Sequence, residues 1–306
     1  MSLPNVNITL GNGNIGTVTL SDDGISGLIL SGKAVNDTLA LDKVYVLAGS
    51  ADLKKYGITK ENNPLLYKDI MAFYTAAGDG AELHLLVVDE AKKLTEICSM
   101  EDGSPLKKLI DSAAGRIRLV GINVNPGEEY EAVQTSGIDH DVVTAVTAAQ
   151  QVAENYMNQI APFVVLLPAL GWNGSTDSLY QPRDGSQNCV SVVMASDGKV
   201  GDGKFYSAAI GQVLGRLATC TVNISLARVR DGSIAAAGYL TDGKTPEDDF
   251  SLWNALHDAG YIFYRTYIGK NGYYLNDDAT CVATTDDYHR LCLTRVIQKA
   301  LVICYK

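Results

Sequence analysis

Short apolar segments alternate with longer helical segments through the middle of the chain. Residues 117–124, 163–167 and 190–195 are mostly apolar on both sides of the backbone, a pattern typical of strands buried on both faces. Residues 139–160 and 205–220 have the length and apolar spacing of helices. The alternation predicts an α/β fold with a mostly parallel sheet that is covered by helices on both faces.

The segments before residue 116 extend the same pattern. Asn63 followed by Pro64 predicts a helix start with Asn63 as its cap, and Gly78 and Gly80 predict its end. Acidic residues at 89–90 and the Ser104–Pro105 pair predict two more helix starts. The predicted strands are residues 43–48 and 82–88, and the predicted helices are 64–77, 89–99 and 104–115.

A third region with a different order of elements begins near residue 241. Its predicted elements are a helix at 246–259, strands at 261–268 and 273–276, and a closing helix from Thr285. The chain therefore divides into an N-terminal extended arm (1–20), an α/β core region (21–240) and a smaller C-terminal α+β region (241–306).

The first twenty residues contain a glycine-rich motif between two alternating segments. Gly11, Gly13 and Gly16 match the Gly-x-Gly-x-x-Gly fingerprint of dinucleotide-binding proteins, which requires a helix directly afterwards. Residues 17–20 instead alternate apolar and polar side chains, as residues 6–10 do. The motif therefore indicates a glycine turn between two strands.

Charge and cysteine spacing exclude several classes of partner. The chain has 35 acidic against 25 basic residues, a net charge of −10, which argues against binding to nucleic acid or to an anionic membrane. Its longest apolar run, residues 161–172, is interrupted by two prolines and is shorter than the roughly 20 residues of a membrane-spanning helix. The sequence starts without an export signal, so we expect assembly in the cytoplasm.

The six cysteines are far apart, so we expect no metal site and no cofactor.

One segment matches the phosphate-loop consensus and leaves an alternative function open. Gly238, Gly243, Lys244 and Thr245 stand at the required spacing, and a predicted helix follows. However, Pro246 and the acids after it also fit an ordinary helix start, with Thr245 as its cap. Residues 85–90 resemble a magnesium-binding strand but precede the loop, the reverse of the usual order. No hydrolase elbow or zinc-protease motif is present, so we expect no enzyme.

Two separated segments resemble contractile-tail sheath proteins of phages and related injection machines. Residues 66–88 are a helix that ends in an aromatic residue and a glycine pair and is followed by a strand. The second segment combines the short sequences around Trp253, Gly260 and Gly272 with the helix that carries Arg295. A helix, a strand pair, a polar turn and a long helix follow in the same order in the C-terminal sheath domain.

The resemblance implies a structural protein of a phage or prophage tail. Sheath subunits form rings or helical homo-oligomers around an inner tail tube and contact baseplate components, and terminal strands link neighbouring subunits. Val6, Asn7, Ile8, Thr9 and Leu10 are predicted to add to a neighbour's sheet; an ordinary first strand within its own domain is the alternative. The closing helix is apolar up to Lys306 and lacks a capping glycine. It is typical of a chain that continues or that packs against something else.

Overall fold

A computed structural model describes residues 22–125, 130–201, 203, 205–248 and 250–305. The predicted arm at 1–20, the strand-adding residues Val6–Leu10 and the glycine motif at 11–16 lie outside these residues. The helices are α1 Asp52–Lys55, α2 Pro64–Ala77, α3 Leu94–Ile97, α4 Pro105–Ser112, α5 His140–Met157, α6 Ile210–Thr219, α7 Phe250–Ala259 and α8 Leu291–Tyr305. The strands are β1 Ser26–Ser31, β2 Val44–Leu47, β3 Leu83–Val88, β4 Leu119–Asn123, β5 Gln134–Thr135, β6 Ile138–Asp139, β7 Val164–Pro168, β8 Ser186–Gln187, β9 Val190–Val193, β10 Ala195–Lys199, β11 Tyr206–Ala208, β12 Tyr239–Leu240, β13 Tyr261–Ile262, β14 Tyr264–Arg265, β15 Tyr274–Leu275 and β16 Cys281–Val282.

A seven-stranded sheet forms the centre of the molecule, in the order β13-β9-β7-β4-β1-β3-β2. All neighbours in it are parallel except β2, which pairs antiparallel with β3. Successive side chains of the strands point into two separate apolar cores, so that in β1 Ile29 joins one core and Leu28 and Leu30 the other. Helices α3, α4, α5 and α7 cover the first core, and α1, α2 and α6 cover the second. The predicted α/β fold with a mostly parallel, doubly covered sheet is confirmed.

The central strand β1 was absent from the predicted elements. It lies between β3 and β4 and is buried along its whole length. Gly27 interrupts its apolar pattern, because a Cβ there would lie 2.6 Å from the Leu109 side chain of α4. The sequence signal of the strand is therefore only the three residues Leu28–Leu30.

Close packing of α2 against α6 depends on two glycines of α6. A Cβ on Gly211 would lie 2.7 Å from the carbonyl carbon of Asp69 in α2, and a Cβ on Gly215 would lie 2.5 Å from the carbonyl oxygen of Phe73. The two helices therefore approach until backbone meets backbone. This contact holds α2 and α6 on one face of the sheet.

Several predicted boundaries differ from the structure, each because other contacts prevail over the local pattern. The predicted helix 205–220 starts only at Ile210, since residues 206–208 form β11 and pair with β10. The closing helix starts at Leu291 rather than Thr285; Asp286 accepts a hydrogen bond from the Tyr288 amide and forms a turn instead. The predicted helix 89–99 is reduced to α3, because Asp89 forms a turn with the amide of Ala91.

Two further differences concern the predicted cap and the third region. Asn63 precedes α2 but does not cap it; its side chain bonds the amide and carbonyl of Lys33, at 2.7 and 3.1 Å. The predicted strand 261–268 is divided, with β13 in the main sheet and β14 paired with β15. Thus the third region contributes a strand to the main sheet, and the division of the chain at residue 240 stays a prediction.

Candidate assembly surface

The side of α8 that faces the rest of the molecule is held by polar side chains. Thr294 Oγ1 donates to the Asn188 carbonyl at 3.1 Å, and Gln298 Nε2 donates to the Phe163 carbonyl at 3.0 Å. Arg295, almost completely buried, donates to the Cys220 carbonyl at 3.1 Å. Each of these bonds satisfies a backbone carbonyl outside α8, so α8 is positioned by hydrogen bonds as well as by the buried Leu291.

The first turn of α8 is capped by a residue distant in sequence. Asp278 accepts from the Cys292 amide at 3.1 Å and from the Ser225 hydroxyl at 2.7 Å, and its carbonyl accepts from the Leu291 amide at 2.7 Å. A carboxylate at a helix start satisfies free amides and interacts favourably with the helix dipole. The direction of α8 is therefore fixed at its N-terminus by the segment that follows β15.

The opposite side of α8 presents an apolar surface to solvent. Of the ten large apolar side chains that are exposed among the described residues, five lie on this one helix. Six residues follow each other at helical spacing and are all exposed; we call them the α8 stripe: Leu293, Val296, Ile297, Ala300, Ile303 and Cys304. Ile297 and Ile303 are 51% and 60% exposed. Such a contiguous patch is characteristic of a surface that binds another protein segment.

The chain enters the described fold beside this stripe. Lys299 of α8 forms an ion pair with Asp23, which precedes β1. Lys299 lies three residues after Val296 and four before Ile303, so it borders the stripe on the helix surface. Asp22 lines a groove of about 310 Å³ together with Val302 and Tyr305 of α8. Asp22 and Asp23 therefore lie beside the C-terminal half of α8.

The phosphate-loop segment is a closed turn in the structure. The Leu240 amide donates to the Lys244 carbonyl at 2.9 Å, and the Gly243 amide donates to the Leu240 carbonyl at 2.8 Å. The amides of Lys244 and Thr245 are bound by the carboxylates of Asp242 and Asp248. Because a phosphate loop needs free amides, this geometry argues against nucleotide binding by Gly238, Gly243, Lys244 and Thr245.

The carboxyl end of the central strands, where ligands bind in many open α/β sheets, is occupied by a polar network. Asn123 at the end of β4 donates to Asp69 of α2 at 2.8 Å and to Ser207 of β11 at 2.9 Å. Lys68 forms ion pairs with Asp69 and Asp197. Burial, and secondarily the charge of Asp197, raises the pKa of Asp69 to about 6, although Lys68 and Asn123 oppose the shift. These groups join α2 to the small β10–β11 sheet, and their contacts to each other indicate a structural role.

A second cleft, of about 730 Å³, lies at the start of α5. Two of the acids that line it are engaged in hydrogen bonds. Asp141 accepts from the Leu94 and Thr95 amides of α3 at 2.6 and 3.0 Å. Asp139 accepts from the Asp141 amide at 2.9 Å and from the Tyr130 hydroxyl. Both carboxylates serve as helix caps and links between elements.

Two buried cysteine thiols are disfavoured as reactive groups. Burial raises the pKa of the Cys189 and Cys281 thiols to about 12, which disfavours the reactive thiolate. No group of three or more His, Cys, Asp or Glu residues suited to a metal ion occurs among the described residues. Within the same residues, no helix combines the length and apolar character needed to span a membrane.

The fold has the architecture of contractile-sheath proteins. The helical sheath of the anti-feeding prophage (AFP) in its contracted state is 15% identical and superposes with a TM-score of 0.57, over 98% of this chain and 74% of that chain. The six-fold symmetrised AFP baseplate contains a chain that is 14% identical, with a TM-score of 0.56 over 100% of this chain and 75% of that chain. The sheath-like fold inferred from the sequence is thus confirmed.

The sequence also matches a model of a known protein family. Residues 3–279 match the family model described as DUF2586, N-terminal domain, and the chain belongs to this family. No curated protein matches the sequence.

The α8 stripe was not among the residues predicted to mediate assembly. The sequence does show an apolar closing helix, but helical periodicity alone does not show which side faces the fold. Strand addition by Val6–Leu10 lies outside the described residues and stays a prediction.

Proposed function

We propose that this protein is a structural subunit that assembles with copies of itself into a contractile sheath around an inner tube. The observation that carries the proposal is the likeness to the AFP sheath fold, which extends over 98% of the chain. The α8 stripe supports it independently, because an apolar surface of this kind is suited to a protein contact. The role requires no chemistry at any residue, in keeping with carboxylates that are occupied as caps and ion pairs.

In this proposal residues 1–20 act as an arm, and Val6–Leu10 add as a strand to the sheet of a neighbouring subunit. An alternating segment can pair through its backbone with an open sheet edge, and a contractile assembly can then change its subunit packing without losing linkage. The partners are further copies, the inner tube protein and baseplate components. Neither nucleic acid nor membrane is a partner. Assembly takes place in the cytoplasm, and the product is part of the tail.

Electron microscopy of the purified protein, alone and with its candidate tube protein, tests the assembly. We expect rings or tubular polymers whose length increases when the tube protein is present. A protein that stays monomeric at high concentration beside the tube protein contradicts the proposal.

Two proline substitutions test strand addition separately. Successive amides of a strand point to opposite sides, and proline removes one amide hydrogen. If the arm adds at a sheet edge, one of Asn7→Pro and Ile8→Pro removes a pairing amide and the other does not. We expect the two variants to differ clearly in polymer yield, each against the unmodified chain. Equal yields would show that backbone pairing at this site does not link the subunits.

A further inference from the structure

The turn between β14 and β15 presents an apolar side chain to solvent on a defined backbone. Ile268 stands in this turn and is fully exposed. The Lys270 amide donates to the Tyr267 carbonyl at 3.1 Å, and Gly269 between them has a φ of 75°. Both features are those of a type II turn, which needs a positive φ at its third residue. We call residues 267–270 the hairpin tip; its backbone holds Ile268 in a fixed position outside the core.

The hairpin tip stands on a row of stacked aromatic and arginine side chains. The Arg265 guanidinium lies between two rings, 4.3 Å from the centre of Tyr267 and 5.4 Å from that of Trp253. Phe250, which is 62% exposed, continues the row with its ring centre 4.6 Å from that of Trp253. A single exposed apolar side chain is ordinary, but Trp, Tyr and Arg side chains are enriched among the residues that dominate protein interfaces. Because the tip is already ordered, binding through it costs little conformational entropy.

The cleft at the start of α5, which we call the α5 cleft, has the complementary character. Its volume of about 730 Å³ lies in the range of clefts that bury most of a small ligand, so it has room for the tip of a turn. Its apolar lining includes Val124, Val133 and Leu170, and Val133 is 70% exposed. The lining also carries five carboxylates against two lysines. The cleft is therefore suited to an apolar side chain that is accompanied by a cation.

Charge and position favour the cleft of a second copy as the partner of the tip. Lys270 is the only charged residue between 266 and 273, whereas the whole chain has a net charge of −10. Exposed glutamates of the α5 cleft can pair with it: Glu90, Glu96 and Glu131. The tip does not line the cleft of its own molecule. Strands β9 and β7 lie between β13, which leads into the hairpin, and β4, which leads into the cleft, a separation of about 14 Å at about 4.8 Å per strand.

We propose that the hairpin tip of one copy docks in the α5 cleft of a second copy, with Ile268 against Val133 and Lys270 beside the cleft glutamates. Tip and cleft are different surfaces, so the contact is head-to-tail and every copy offers one of each. Such a contact repeats, and it closes into a ring or continues as a helical array. The inference rests on the proposed function in one respect, since both take further copies of this chain as partners.

Zero-length cross-linking of the full chain tests the contact directly. A carbodiimide joins a lysine amine to a carboxylate that it touches, and an equal mixture of isotope-labelled and unlabelled copies shows whether the two come from different molecules. We expect mass mapping to find mixed-isotope peptide pairs that link Lys270 to Glu90, Glu96 or Glu131. Absence of such mixed pairs would overturn the proposal. Pairs of a single isotope would also overturn it, because the tip would then occupy the cleft of its own molecule.

Variants of the two sides show whether the contact is head-to-tail. Ile268→Asp and Val133→Asp should each lower the yield of the mixed pair at least about tenfold, which corresponds to about 1.4 kcal/mol of lost binding. Val46→Asp, at an exposed valine of β2, is the matched control and should leave the yield unchanged. A mixture of labelled Val133→Asp with unlabelled Ile268→Asp combines an intact tip with an intact cleft. It should restore the link, always from labelled Lys270 to an unlabelled glutamate.

Two results would contradict the proposal at this stage. One is an undiminished yield in both single variants, and the other is a mixture that fails to restore the link. Electron microscopy of the same samples separates this contact from the proposed function. Polymers without the Lys270 link would remove the contact and leave the sheath assembly, whereas the link without polymers would support the contact and remove the assembly.

Discussion

Replacing Gly211 by alanine tests whether the backbone contact between α2 and α6 holds the fold together. The added Cβ would lie 2.7 Å from the carbonyl carbon and 2.8 Å from the Cα of Asp69. Carbon atoms in ordinary contact are about 3.5–4.0 Å apart, so the two helices would have to separate by about 1 Å. The carbonyl oxygen of Asp69 obstructs the Cβ as well, and none of these three atoms can rotate away, because all belong to the backbone of α2.

The cost follows from three effects. Overpacking in a core costs about 1–3 kcal/mol. Moving Asp69 also strains its hydrogen bond to Asn123, and a bond to a charged group is worth about 1.5–3 kcal/mol. The higher helix propensity of alanine offsets about 1 kcal/mol of this loss of stability. We expect the free energy of unfolding to fall by about 3 kcal/mol, seen in urea as a lower midpoint with an unchanged slope.

Gly27→Ala is the matched control for this prediction. Gly27 is also buried and tightly surrounded, but its close neighbours are the side chains of Leu109 and Ile117. Side chains can change rotamer, so we expect a loss of about 1 kcal/mol. If Gly211→Ala is no more destabilising than Gly27→Ala, the backbone contact does not limit the packing of these helices.

Three further predictions concern the polar groups. The pKa of Asp69 is raised to about 6 in the folded state, so the folded protein binds more protons than the unfolded chain between about pH 4 and pH 6. The free energy of unfolding should therefore fall by up to about 3 kcal/mol as the pH rises through this range. Asp69→Asn should flatten this part of a plot of urea midpoint against pH; an unchanged slope would assign it to other groups. Asp278→Ala removes the cap of α8 and should cost about 2 kcal/mol, with faster amide exchange confined to the first turn of α8; uniform exchange along the chain would contradict a local cap. Calorimetric titration with Mg-ATP should show no binding to the unmodified chain, whereas micromolar binding that is lost in Lys244→Ala would restore the nucleotide-binding alternative.

The elements that could be predicted carry their own local signals. Helix α2 begins at a proline and ends at glycines with positive φ, and α5 begins with a carboxylate cap at Asp139. Strands β3, β4 and β7 are continuous apolar runs, as strands covered on both faces must be. The type of these five elements and their order along the chain follow from these patterns alone.

The features that could not be predicted depend on contacts between residues that are distant in sequence. Residues 206–208 form a strand rather than the start of a helix only because β10 is available for pairing. The cap of α8 comes from Asp278, and Asn63 bonds Lys33 rather than its own helix. The phosphate-loop match illustrates the same point, since its spacing is correct but the amides of Lys244 and Thr245 donate to nearby carboxylates. The orientation of α8 could not be predicted, because partners for its polar side are carbonyls from three other segments.

The position of β1 has a mechanical consequence. This strand begins three residues after Asp23, and its backbone is paired with β3 on one side and β4 on the other. A pulling force that reaches β1 along its own axis therefore acts on a central strand. It stretches the hydrogen bonds on both sides together in shear, whereas a strand at the rim of a sheet can be peeled away one bond after another. Any tension carried by the N-terminal segment is thus distributed over the middle of the core, the part of the molecule best able to resist it.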